Sequence, residues 1–143
     1  MNVKMNGYEP AYVSFMPKGN KTEVFYSFTT FQKPEANKIS CFIPSFNIYF
    51  SATDKEMVHK KSVALTKIYL RHFGRHSKGG VKDLVLQLHK LGFKAPNDAL
   101  TLKRILKDHQ AVNAKFKSSN ETLPDGFYGA ERIEHQEELE VAI

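Results

Sequence analysis

The stretch KISCFIPSFNIYFSATDKE, Lys38 to Glu56, sets its apolar residues Ile39, Cys41 and Ile43 on odd positions, then Phe46, Ile48 and Phe50 on even ones. Side chains of a strand alternate between two faces, so a slip of one residue carries the whole apolar set to the other side. Pro44 stands at the slip. A residue with no N–H to give is confined to edges, bends and bulges. The segment therefore reads as two short strands joined by a bulge or tight bend, which turns the chain so that Phe46, Ile48 and Phe50 join the core under a following helix.

The flanking sequence supplies the other elements. AYVSFM (11–16) and TEVFYSFTTFQ (22–32) are rich in β-branched and aromatic residues, and the PKGNK between them is turn chemistry, which predicts a hairpin. Past Phe50 the period changes. Thr53 followed by Glu56 reads as a capping box, and Met57, Val58, Leu65, Ile68, Tyr69 and Phe73 recur at helical spacing, predicting a helix from about Asp54 to Phe73 stopped by Gly74. A basic, glycine-rich connector, GRHSKGG, leads to a second helix marked by Val81, Leu84, Val85, Leu88 and Leu91. Gly92 is placed for a left-handed cap, with Phe93 able to pack on Leu88. Leu102, Ile105 and Leu106 mark a third helix to about His109. Val112, Ala114 and Phe116 then alternate with Asn113, Lys115 and Lys117 as a last strand.

The expected architecture is α+β: a small antiparallel sheet of three to four strands with helices packed on one face, in the order β-β-β-α-α-α-β. Residues 1–120 form one domain in this reading, and 121–143 are loop and an acidic, flexible tail. A chain of 143 residues is long enough to bury a core without disulfides or metal. Cys41 is the only cysteine, which excludes an internal disulfide and a multi-cysteine zinc site and fits a reducing, cytoplasmic home as a small core residue. No apolar run has the length of a signal peptide or a membrane helix, so no membrane association is expected.

Charge is divided along the chain. Residues 1–120 carry 20 of the 21 lysines and arginines and 8 of the 15 acids, a balance of +12, whereas 121–143 carry one arginine against seven acids, −6. Such asymmetry points to a basic surface for an anionic partner and an acidic segment able to compete for it. Lys60, Lys67 and Arg71 fall opposite the apolar stripe of the first helix, Arg75 and Lys78 extend the charge into the connector, and Lys103, Arg104 and Lys107 repeat it on the third helix. These eight are the candidate partner-binding or nucleic-acid-binding residues, and a lysine-rich face kept only for solubility has the same pattern.

Catalytic signatures are sparse. His72 and His76 are four apart, but Gly74 between them ends the helix that would align them, and no third ligand is indicated. Nothing near Cys41 signals an activated thiol. SKGGVKD lacks the fuller phosphate-loop pattern. No enzyme activity, metal or cofactor is expected.

From Thr22 to about Phe73, two strands, a proline bend, a short strand and a capped helix resemble the core of the HicB-type antitoxin family and its orphan relatives. In that family a Pro-Asp-Leu-Pro-Gly bend joins the second and third strands, and a Gly-Asp-Thr stretch opens the helix. Here Pro44 and Phe46 keep the proline and the apolar position after it, Asn47 and Ile48 replace the second proline and the glycine, and Thr53, Asp54 and Glu56 keep the polar, acidic helix start. The resemblance implies non-catalytic recognition of a protein partner, a small ribonuclease toxin, together with homo-oligomer formation. HicB-type proteins often add a DNA-binding segment after the last strand; in this chain the extra helices, about 81–109, precede it. Their run-turn-run form around LGFKAPND suits a helix-turn-helix and also plain packing helices. The alternative function is nucleic-acid binding, RNA or DNA, through the basic helices of residues 54–109.

Overall fold

The computed structural model describes residues 2–4, 10–18, 21–74, 81–108, 114–118 and 122–140. Its elements run β1 (Asn2–Lys4), β2 (Tyr12–Lys18), β3 (Lys21–Pro34), β4 (Ile39–Ile43), β5 (Ile48–Ala52), α1 (Lys55–Gly74), α2 (Val81–Lys90), β6 (Phe93–Lys94), α3 (Asp98–Asp108), β7 (Ala114–Ser118), β8 (Thr122–Pro124) and β9 (Tyr128–Glu140).

The sheet corrects the expected architecture. In place of three or four strands, seven form one strongly curled antiparallel sheet, β1 and β8 form a separate pair, and strand outweighs helix. The cause lies in β3, whose 14 residues serve more neighbours than a short strand can. Its first half pairs with β2, Lys21 to Ser27, and its last four residues pair with β4, while β9 follows it from Lys21 to Gln32. A strand residue has two edges, so β2 and β4 share one edge of β3 in succession and β9 takes the other. A shift in register between Thr30 and Phe31 falls near the place where one neighbour gives way to the next.

The tail is the second correction. Residues 121–143 contain β8 and the 13-residue β9, and β9 is paired with β3. Glu131, Ile133 and His135 share a face with Thr30, Phe28 and Tyr26, and Ile133 enters the core. On the opposite face Arg132 forks, donating to Ser27 Oγ at 2.9 Å, Thr29 Oγ1 at 3.2 Å and the Pro10 carbonyl at 2.7 Å, so it ties β9 and β3 to the chain entering β2.

Alternation accounts for the core. Val13 and Phe15 of β2, Val24, Tyr26 and Phe28 of β3, Phe116 of β7 and Ile133 of β9 meet Leu70 of α1 and Leu84, Val85 and Leu88 of α2. α1 packs against β4, β5 and β9, and α2 against α1 and β6. α1 is capped by Asp54, whose Oδ1 accepts the Met57 N–H at 2.9 Å, one residue later than the Thr53 box. α2 stops as expected: Gly92 has φ 95° and its N–H reaches the His89 carbonyl at 3.1 Å.

The proline stretch is a hairpin. Pro44 to Asn47 form its loop, with Asn47 at φ 53°, and Ile43 pairs with Ile48, Cys41 with Phe50 and Ile39 with Ala52. Odd residues of β4 thus share a face with even residues of β5. The change of parity comes from chain reversal, and no strand changes face. Phe46, at 2% exposure, drops from the loop into the core, whereas Ile48 and Phe50 pack on it half-buried.

Candidate functional site

The structure separates the cations singled out from the sequence. Lys60 is exposed on α1 but already paired with Glu56 at 2.9 Å, and Lys67 and Arg71 are half-buried. Lys103 and Arg104 are exposed on α3. Arg75, Lys78 and the side chain of Lys107 lie outside the described residues, as does His76. These cations sit on two different helices, and α1 spends one of them on its own glutamate. The buried side of α1 is less apolar than its sequence implies, because Ser62 and Thr66 lie there beside Val58 and Leu70.

The acidic segment occupies a more definite position. β9 is hydrogen-bonded to β3 alone among the described strands, which makes it an edge strand 13 residues long. It carries Glu131, Glu134, Glu137, Glu138 and Glu140 and a single cation, Arg132, whose guanidinium is turned onto Ser27, Thr29 and Pro10. Glu131 reaches α1, with Oε1 2.5 Å from His59 Nδ1. At the start of β9, Tyr128 is 46% exposed while its hydroxyl accepts from Gln32 Nε2 at 2.8 Å. Between these contacts and the first turn of α1 opens a cleft of about 560 Å³ lined by Gln32, Lys55, Glu56, Tyr128 and Glu131. The cleft takes Tyr128, Gly129 and Glu131 of β9 into its lining.

Two further surfaces border the sheet. A shallow apolar groove of about 300 Å³ runs between Ile48 of the edge strand β5 and Leu65, Ile68, Tyr69 and His72 of α1, with Ile68 63% exposed. Burial holds the Tyr69 hydroxyl above its ordinary value, against a hydrogen bond from Gln87 Nε2 at 2.8 Å. On β5 itself, Lys61 Nζ donates to the Ser51 carbonyl at 2.7 Å, which occupies one acceptor of that strand. Cys41 is 1% exposed; burial pushes its thiol up to about 11, against the pull of Lys61, so it is a poor nucleophile at neutral pH. Among the described residues no three His, Cys, Asp or Glu side chains gather closely enough to hold a metal ion.

The acidic edge gives almost no period-two signal in the sequence, because Ile133 is the one buried apolar side chain among those described on β9. The hints that the sequence offers are Ile133 and Leu139, each standing between polar residues. Compared with known protein families, characterised proteins and solved structures, the chain matches none. No helix among the described residues is long and apolar enough to cross a membrane.

Proposed function

We propose that this protein is a non-catalytic recognition module that captures a basic protein partner by adding an extended segment of it to the open edge of β9. The observation that carries the reading is the coincidence, on one 13-residue strand, of an edge along which no second described strand pairs and five glutamates in a chain whose net charge is +6. Main-chain donors and acceptors on an open edge bind an extended segment whatever its sequence, and the side chains alongside choose among sequences. Carboxylates choose lysine and arginine. They also oppose pairing of β9 with a second β9, since like charges across a strand pair destabilise it.

A small basic ribonuclease, the kind of partner that the HicB-type resemblance implies, has the chemistry this edge selects. Tyr128 and Gln32, at the head of the edge, offer an aromatic face and an amide to a side chain entering the cleft. The role is set in the cytoplasm, in keeping with one buried cysteine.

The reading is tested by fluorescence anisotropy of a labelled extended peptide of alternating lysine and valine, titrated with the full chain. Binding is expected to weaken steeply with salt and to fall at least tenfold in the doubly substituted Glu134→Lys, Glu138→Lys chain. Equal binding by the native and substituted chains overturns it.

A further inference from the structure

The face of the sheet turned away from α1 carries a pattern that the β9 edge does not use. Cross-strand register sets its side chains in rows. Lys115 of β7, Ser14 of β2, Phe25 of β3 and Gln136 of β9 form one row. Lys94 of β6, Lys117 of β7, Tyr12 of β2 and Ser27 of β3 form the next. Lys94, Lys115 and Lys117 are exposed, and so are Phe25, at 40%, and Met16, at 53%. Lys115 Nζ stands 3.9 Å above the centre of the Tyr12 ring, which holds the ammonium over the sheet. The face therefore runs from cationic at β6 and β7, through aromatic at β2 and β3, to mixed polar at β9, where Arg132, Glu134 and Gln136 stand.

We infer that this face binds single-stranded RNA, with phosphates along Lys94, Lys115 and Lys117 and a base stacked on Phe25. Neighbouring strands are about 4.8 Å apart, so Lys115 and Phe25, two strands removed, are separated by about 10 Å, a span that a phosphate, its sugar and the attached base bridge. Ser14 lies between them in the same row, where the sugar falls, and its hydroxyl suits a 2′-OH; that is why the assignment is to RNA and not to DNA. An exposed aromatic beside a lysine track is the arrangement that holds single strands without reading a duplex. On the far side stand Glu134 and Glu23, the latter paired with Lys18 at 3.2 Å, so the lysines of β6 and β7 are the better place for phosphates. The site is separate from the basic helices and from the edge of β9.

The test is fluorescence anisotropy of a labelled twelve-nucleotide oligo(U) with the full chain at 50 and 200 mM salt. Three lysine contacts on a single strand give a log–log salt slope of about −2, hence about twentyfold weaker binding at the higher salt. Lys115→Glu with Lys117→Glu should abolish binding at 200 mM, Phe25→Ala should weaken it about tenfold, and Lys60→Glu with Lys67→Glu on α1 should change it less than twofold. Circular dichroism of each variant separates lost binding from lost fold. Absent binding by the native chain, equal loss in the α1 variant, or a hairpin duplex bound as tightly as oligo(U) overturns the inference, and equal affinity for oligo(dT) overturns the assignment to RNA.

Discussion

The hydroxyls of Thr30 on β3 and Ser62 on α1 meet at 2.8 Å, both 0% exposed. Ser62 Oγ also donates to the Val58 carbonyl at 2.7 Å, so its one proton is committed there and Thr30 donates to Ser62. The helix is thus tied to the sheet by a directed bond in its buried layer, beside the apolar contacts of Val58 and Leu70. Ser62→Ala leaves the Thr30 proton without an acceptor and should cost about 1–3 kcal/mol in urea unfolding. Adding Thr30→Val removes the orphaned donor and should recover much of that loss; a double variant no better than Ser62→Ala would show that the pair is not coupled.

Phe46 is the second joint. From the hairpin loop its ring meets Phe28 at 5.7 Å edge-on, Tyr69 at 5.7 Å and Phe93 at 5.5 Å, so one side chain touches β3, α1 and β6. Phe46→Ala should destabilise by roughly 3–5 kcal/mol, as aromatic truncations in cores do. Phe50→Ala, at a half-buried position, should cost clearly less. The reverse order would mean that the loop is not part of the core.

These two joints show what the sequence discloses and what it hides. Period and punctuation reveal the hairpin of β2 and β3, the span of α1 and the stop at Gly92, because each is set within a few residues of itself. The even-odd shift around Pro44 is equally visible, yet it fits a bulge as well as a four-residue hairpin, and only the pairing of Cys41 with Phe50 decides. Nothing local shows that β3 has β2 and β4 on one edge and β9 on the other, since that sharing is a long-range relation. Lys115 and Lys117 are legible as the polar side of a strand, but the row that joins them to Tyr12 and Phe25 exists only once the register is known.

Cys41 gives a dependence on pH with a definite sign. Its thiol titrates near 9.0 in the unfolded chain and near 11 when folded, so the fold favours the protonated form. That contribution is complete below pH 9 and is lost as pH rises toward 11. Its full size is on the order of 2 kcal/mol. Cys41→Ala should flatten this part of the stability curve, and alkylation of the native chain should stay slow at neutral pH and accelerate above pH 9. Rapid alkylation at pH 7 would contradict the burial of the thiol.

The open edge of β9 is tested most directly by amide hydrogen exchange, residue by residue, with and without a bound basic partner such as the lysine–valine peptide. Every second amide of β9 points away from β3, and these are expected to slow at least tenfold on binding, while the amides of α1 and α3 keep their rates. Slowing confined to α1 or α3, or β9 amides unchanged in a complex that has demonstrably formed, would contradict capture at this edge.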